Sequence, residues 1–264
     1  MQVFADDGTP VHVRVDGANG TPIVLLAGFP LTRALWKTQA DALSATHRVL
    51  RPELRGIGSS SIPDGPYLME TLAADVATML DALGIRQTAI AGHSMGGYVA
   101  LAFARMFSER ITHLALVCSR LGADTAERAA ARRRTADRVE EADSTAPLVD
   151  EYLSPLVSGS DAADRNDIEA QVRQMADCIE PKGAAALLRG MALRASSEDI
   201  AADLDVPVAV VAGARDANVP LEEARTMAAA FPKGRLNVCE RSGHLPMLEE
   251  PAAVGAALEA LLSE

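Results

Sequence analysis

The stretch that decides the fold is Ala91-Gly92-His93-Ser94-Met95-Gly96-Gly97, which matches the pattern G-x-S-x-G. It follows a continuous apolar run and opens a helical pattern over residues 95–107. In that context it predicts a sharp strand-to-helix turn, where Gly92 and Gly96 let strand and helix approach each other. Ser94 would project from the carboxyl end of a strand, where open α/β sheets bind ligands. The alternative is an incidental serine in a glycine-rich turn.

Short apolar runs alternate with helical periodicity along the whole chain. The predicted strands cover residues 11–15, 23–27, 48–50, 88–91, 114–117, 206–212 and 235–239. The predicted helices cover residues 33–43, 69–83, 95–107, 221–231 and 251–262. This alternation predicts an α/β fold with a mostly parallel sheet that helices cover on both faces.

The strand signal disappears between residues 122 and 198, where the sequence is helical in period and rich in Ala, Arg and Glu. A length of 264 residues suits either one α/β domain with an insertion or two domains. Because the candidate catalytic residues fall on both sides of this stretch, we predict one core, residues 1–121 and 199–264. Residues 122–198 would form an inserted helical lid over one end of the sheet.

The charge balance excludes nucleic acid as a partner. The chain carries 25 Lys and Arg against 36 Asp and Glu, a net charge of −11, whereas phosphate binding needs a basic face. We interpret the run Arg132-Arg133-Arg134, which has acidic neighbours, as a solvated helix face. The negative charge also favours neutral substrates weakly over strongly anionic ones.

Three cysteines without metal-ligand spacing indicate neither a disulfide framework nor a zinc site, so no metal or other cofactor is expected. The first residues lack a signal-peptide pattern, and no apolar run approaches membrane-spanning length. We therefore expect a soluble, cytoplasmic protein that acts on a small molecule, without a membrane partner. The sequence leaves a homo-oligomer open.

A serine nucleophile needs a base, and the base needs a carboxylate. His244 lies in a loop just after the last predicted strand, on the same carboxyl edge as Ser94, whereas His93 is expected to point away from Ser94. Asp216 follows the preceding strand at that edge, while Asp205 would lie at the opposite end. The predicted catalytic residues are therefore Ser94, Asp216 and His244.

Charge on a tetrahedral intermediate requires backbone N–H donors, an oxyanion hole. The N–H of Met95, directly after the serine, is one candidate. The N–H of Phe29, in the loop after the strand at 23–27, is the other, because Pro30 has no N–H.

These features resemble the α/β-hydrolase superfamily over nearly the full chain. Further similar segments are Gly28-Phe29-Pro30-Leu31 with Trp36, Glu53-Leu54-Arg55-Gly56-Ile57-Gly58-Ser59-Ser60, and the residues from Gly243 to Pro251. The order Ser94, Asp216, His244 is also that of the family. Ala27 stands where the family usually has His before the glycine of the oxyanion loop. A serine nucleophile disfavours the haloalkane dehalogenase and epoxide hydrolase branches, whose chemistry uses a carboxylate.

The resemblance is strongest to carboxylesterases and enol-lactone hydrolases, and it implies a serine hydrolase cleaving a small carboxylic ester or lactone through an acyl-enzyme. A carbon–carbon bond hydrolase or a cofactor-free perhydrolase would use the same triad, and a non-catalytic receptor on this scaffold is an alternative of another class. The candidate pocket residues are Trp36, Leu148, Tyr152, Leu156, Met175, Met191 and Leu245.

Overall fold

An eight-stranded sheet forms the centre of the computed structural model, which describes residues 1–157, 159 and 165–264. In spatial order the strands are β1 (Gln2–Phe4), β2 (Pro10–Asp16), β4 (Arg48–Glu53), β3 (Pro22–Leu26), β5 (Thr88–His93), β6 (Ile111–Val117), β7 (Val208–Gly213) and β8 (Gly234–Cys239). β2 is antiparallel to β1 and β4, and the other neighbouring pairs are parallel. The predicted α/β fold with a mostly parallel sheet is confirmed.

Helices cover both faces of this sheet. Those that follow strands of the core are α1 (Lys37–Leu43), α2 (Met69–Ala82), α3 (Met95–Met106), α9 (Leu221–Ala230), α10 (Pro246–Glu249) and α11 (Pro251–Leu262). The single helix expected over 33–43 is divided, because a 3-10 turn over Arg33–Trp36 precedes α1 and is capped by the Thr32 hydroxyl. Within the described residues, no helix combines the length and apolarity that crossing a membrane requires.

Side chains along the central strands point alternately to the two faces of the sheet, and this divides the hydrophobic core into two clusters. In β3, Val24 and Leu26 face one cluster, which includes side chains of α2, α3 and α9. Ile23 and Leu25 face the other, which includes side chains of α1 and α11. Burial on both faces explains why the parallel strands are continuously apolar in sequence.

The sheet edge extends further than the sequence predicts. β1 was not predicted, since its three residues bury only Val3 and are too short to show alternation. β4 continues past Leu50 to Glu53, where it pairs with β2 through His12. Charged residues in this extension are buried with ion-pair partners, such as Arg51 with Asp16, so apolarity does not mark it as a strand.

The inserted stretch contributes α4 (Ala126–Glu141), α5 (Ser154–Leu156), α6 (Arg165–Ala176), α7 (Pro181–Ala192) and α8 (Glu198–Ala201), with a π-helical turn over Val149–Leu153. These elements lie between β6 and β7 in the chain. At the carboxyl edge of the sheet the insertion reaches the core directly. Gly159 packs against Gly243 and the carbonyl of Arg215, closely enough that a Cβ at Gly159 would lie 2.6 Å from that carbonyl oxygen.

Candidate active site

Ser94 lies at the turn between β5 and α3 with φ 50° and ψ −113°, a conformation that non-glycine residues rarely adopt. Two hydrogen bonds hold it there. Its N–H donates to the Val117 carbonyl at 2.9 Å, and its carbonyl accepts from the Ser119 hydroxyl at 2.9 Å. A Cβ at Gly92 would lie closer than 3.0 Å to the Gly96 carbonyl, so the turn requires glycine there. The strained serine is thus fixed by neighbouring backbone and by the Ser119 side chain.

Asp216 and His244 meet at the same edge of the sheet. Asp216 follows β7 and His244 follows β8, and both side chains are buried. The His244 Nδ1 lies 2.7 Å from the Asp216 Oδ2. The other carboxylate oxygen, Oδ1, accepts from the N–H groups of Asn218 at 2.7 Å and Val219 at 3.1 Å. This arrangement fixes the carboxylate and engages the Nδ1 of His244, so the other ring nitrogen, Nε2, can accept a proton.

The environment keeps Asp216 ionised although it is buried. Burial opposes the charge, but His244 and the N–H groups of Val219 and Asn218 outweigh it and lower the pKa of Asp216. Cys118 lies behind the pair, and among the described side chains this trio could share a metal ion, with ligand atoms within 4.8 Å. Burial raises the pKa of the Cys118 thiol well above its usual range, which disfavours the thiolate a metal needs.

His93 supports the loop that carries His244. Its Nε2 lies 2.9 Å from the His244 carbonyl oxygen, and because a carbonyl only accepts, this nitrogen is the donor. Burial, together with the nearby His244, lowers the pKa of His93 to about 3, so the ring stays neutral. The ring also lies beneath Gly28, where a Cβ would be 2.6 Å from its Nδ1. Sequence reasoning expected His93 to point away from Ser94, but it missed this contact with the loop that carries His244.

The two candidate oxyanion donors follow β3 and β5, which are neighbours in the sheet. α3 begins directly against the end of β3, since a Cβ at Gly96 would come closer than 3.0 Å to the carbonyls of Leu26 and Ala27. Among the described residues, neither the Phe29 nor the Met95 N–H has a backbone acceptor. Both groups are therefore available to a ligand oxygen near Ser94.

A cavity of about 550 Å³ opens beside Ser94 and His244, within the size range of small-molecule sites. Of the seven candidate pocket residues, Tyr152, Leu156 and Met191 line it, and so does the candidate oxyanion donor Phe29. The other four candidates, Trp36, Leu148, Met175 and Leu245, lie outside the described lining and are buried in the two apolar clusters. Apolar periodicity is the same for side chains that pack in the core and for side chains that line a cavity. The sequence therefore could not distinguish these four core residues from the residues that line the cavity.

The cavity lining also includes side chains that sequence reasoning did not place there. These are Tyr98, Arg120, Arg128, Ala131, Arg132, Arg134, Thr135, Arg138, Glu151, Pro155, Asn218 and Val219. The prediction that Arg132-Arg133-Arg134 forms a solvated helix face is wrong for Arg132. Its side chain is only 11% exposed and pairs with Asp124 at 2.6 Å. Arg133 is exposed, as expected. The signal available in the sequence was the helical spacing of Arg128, Arg132 and Thr135.

A family model described as alpha/beta hydrolase fold matches residues 21–251 of the chain. The chain is an α/β-hydrolase. A thermophilic esterase from Thermogutta terrifontis, solved with malate bound, is similar to this α/β-hydrolase with a TM-score of 0.94 and 34% identity, over 100% of this chain and 98% of that chain. The enol-lactonase from Burkholderia xenovorans LB400 is similar with a TM-score of 0.88 and 26% identity, over 100% of both chains.

A putative carbamate hydrolase of Azorhizobium caulinodans is 36% identical to this α/β-hydrolase over 107 residues. That alignment covers 40% of this chain and 40% of the relative, so less than half of that protein is matched. The family and these neighbours together support a hydrolytic function.

Proposed function

We propose that this α/β-hydrolase is a serine hydrolase that cleaves a small carboxylic ester or lactone through an acyl-enzyme on Ser94. One observation carries the proposal. Ser94, held at a strained strand-to-helix turn, lines the same cavity as His244, whose Nδ1 is 2.7 Å from a buried carboxylate of Asp216. A base that is oriented by a carboxylate and lines the same cavity as a serine is the arrangement that nucleophilic acyl transfer requires.

In the acylation step the Ser94 hydroxyl attacks the carbonyl carbon while His244 Nε2 accepts its proton. Asp216 holds the imidazole in the tautomer with the proton on Nδ1 and stabilises the imidazolium that forms. The N–H groups of Phe29 and Met95 donate to the developing oxyanion. Collapse of the intermediate breaks the bond to the alcohol oxygen, which takes the proton from His244.

In the deacylation step His244 removes a proton from water, which attacks the acyl carbon. The bond between this carbon and Ser94 Oγ then breaks, and Oγ takes the proton from His244 to become a hydroxyl again. For a lactone, the alcohol released by acylation stays attached to the acyl group, and the product is a hydroxy acid. The same residues therefore act on esters and on lactones, and the shape and charge of the cavity determine which of them is the preferred substrate.

Turnover of p-nitrophenyl acetate tests the proposal. Ser94→Ala should abolish it, whereas Ser59→Ala, at an exposed serine outside the cavity lining, should retain the activity of the unmodified protein. Hydrolysis that survives Ser94→Ala would assign the chemistry elsewhere. Absence of hydrolysis in the unmodified protein, across a panel of short-chain esters, aryl esters and lactones ranked by kcat/KM, would overturn the esterase proposal and favour a ligand-binding role.

A further inference from the structure

The cavity beside Ser94 is basic, although the whole protein carries a net charge of −11. Its described lining contains five arginines, Arg120, Arg128, Arg132, Arg134 and Arg138, and a single carboxylate, that of Glu151. Glu151 pairs with Arg138, while Arg120 and Arg132 pair with Glu223 and Asp124, which lie outside the described lining. Among the described residues, Arg128 and Arg134 have no carboxylate partner. A concave site lined by one sign of charge concentrates ligands of the opposite sign.

Arg132 is firmly held in the wall of the cavity. Its Nε donates to the Asp124 Oδ2 at 2.6 Å, and the Asp124 side chain is only 2% exposed. The same carboxylate also accepts from Arg194 at 3.3 Å, so one buried acid is shared by two guanidinium groups. Because one carboxylate is shared by two guanidinium groups, this wall of the cavity keeps an excess positive charge.

The other hydrogen-bonding contacts of Arg132 are with the neutral side chains of Met191 and Tyr152. Its Nη1 lies 3.4 Å from the Met191 Sδ, which is a weak acceptor. Among the described residues Asp124 is its ion-pair partner, and it engages Nε rather than the two Nη groups. An arginine fixed through Nε presents Nη donors that suit a carboxylate.

Aromatic residues connect this arginine wall to the reaction centre. The Tyr152 ring packs edge-on against the Phe29 ring with centroids 5.2 Å apart, and Phe29 is a candidate oxyanion donor. Tyr98 lies one helical turn after Ser94, and the Arg194 guanidinium lies 3.9 Å from the centroid of its ring. The basic wall is therefore built against residues that themselves contact the catalytic elements.

Two further arginines extend the basic surface toward solvent. Arg128 and Arg134 are exposed on α4, line the cavity, and have no ion-pair partner among the described residues. Arg133 lies next to Arg134 on the same helix, is equally exposed and is absent from the described lining. It provides a control with the same change of charge outside the cavity.

We propose that the natural substrate carries a carboxylate in addition to its ester or lactone group, and that Arg132 binds this carboxylate while Arg128 and Arg134 attract it. This inference rests on the proposed function, because it takes Ser94 as the nucleophile. Hydrogen bonds between charged partners, shielded from water, are strong enough to favour such substrates on the order of tenfold or more in kcat/KM.

Matched substrate pairs test the preference. Monoethyl succinate and ethyl 4-oxopentanoate differ in that a methyl ketone replaces the carboxylate on the acyl side. 3-Acetoxypropanoate and 4-acetoxybutan-2-one form the same pair on the alcohol side. For one of the two pairs, we expect kcat/KM of the carboxylate substrate to exceed that of its ketone partner by about tenfold or more. That pair shows whether the natural substrate carries its carboxylate on the acyl side or on the alcohol side. Added salt should reduce this ratio.

Substitutions then locate the recognition. Arg132→Gln should remove most of the preference, and the double variant Arg128→Ala/Arg134→Ala should reduce it several-fold through lost attraction at the rim. Arg133→Ala should leave the ratio as in the unmodified protein. Because Arg132 is buried, the exposed double variant keeps the test valid if Arg132→Gln fails to fold.

Binding without chemistry separates this inference from the proposed function. In a Ser94→Ala background, calorimetry should show tighter binding of monoethyl succinate or 3-acetoxypropanoate than of its ketone partner, and adding Arg128→Ala/Arg134→Ala should diminish the difference. If no ester is hydrolysed but this difference is present, the acyl-enzyme proposal fails and carboxylate recognition stands. If Ser94-dependent hydrolysis occurs while the ketone partners are bound and cleaved equally well or better, carboxylate recognition is overturned.

Discussion

The His93 Nε2 donates a hydrogen bond of 2.9 Å to the backbone carbonyl of His244, 151 positions away in the chain. His93 is the residue before the nucleophile, and its ring centroid lies 5.0 Å from that of His244. The bond ties the loop of the proposed base to the turn of the proposed nucleophile. We therefore expect His93 to act as a positioning residue, through the placement of His244.

Replacing His93 should impair turnover more than substrate binding. His93→Leu removes the donor, and we expect kcat to fall roughly tenfold or more with little change in KM, since small misplacements of a catalytic base are costly. His93→Gln retains an N–H donor of similar reach and should recover much of that loss. Steady-state kinetics of both variants provides the measurement. Equal kcat values for the two variants would show that the hydrogen bond does not position the base.

His93 should also make the protein less stable in mild acid. Its folded-state pKa, about 3, lies below the usual 6.5, so between these values the unfolded chain binds the extra proton. The free energy of unfolding should therefore be fully expressed above pH 6.5 and decrease as the pH falls toward 3. Urea denaturation between pH 7 and pH 4 measures this slope, which should be shallower in His93→Gln. An unchanged slope would assign the acid sensitivity to other groups.

Replacing Asp216, the carboxylate partner of His244, should lower the rate of turnover and not only the stability of the fold. Asp216→Asn keeps an acceptor for Asn218 and Val219 but no longer holds the Nδ1 proton of His244, so kcat should fall on the order of a thousandfold. Asp205→Asn makes the same change at an exposed residue before β7, at the opposite edge of the sheet, and should retain full activity. Comparable losses in both variants would contradict the assigned role of Asp216.

Two glycine-to-alanine substitutions should act in opposite directions. At Gly96 the added Cβ would lie closer than 3.0 Å to the backbone carbonyls of Leu26 and Ala27, which cannot move without displacing β3 from the start of α3. Activity should therefore drop at least about tenfold. At Gly255, inside α11, the Cβ meets open space, and Gly255→Ala should raise the free energy of unfolding by about 0.5–1 kcal/mol. Thermal denaturation and ester turnover distinguish the two effects.

Much of the architecture follows from local signals in the sequence. The continuous apolar runs predicted the parallel strands because β3, β5 and β7 are buried on both faces, and the strand–helix alternation predicted the sheet they form. Strand order then determines which loops share an edge. That is why Ser94, Asp216 and His244, each placed after a strand, could be brought together from sequence alone.

Contacts between distant segments could not be predicted in this way. The run Arg132-Arg133-Arg134 has the composition of an exposed face. Only its contacts with Asp124 and with Met191 of α7 show that Arg132 turns inward. The sequence predicts that His93 points away from Ser94, but its bond to His244 depends on how two loops meet. Trp36 lies in a segment typical of the family, yet it packs in the core and does not line the cavity.

The most direct test of the central claim, an activated Ser94, is labelling with a fluorophosphonate followed by peptide mass spectrometry. We predict one label per chain, located on the peptide that contains Ser94, with loss of ester turnover in proportion to labelling. His244→Ala should slow this labelling strongly, because the serine then lacks its base. A label on another residue that abolishes turnover, or full activity after Ser94 is labelled, would contradict the account.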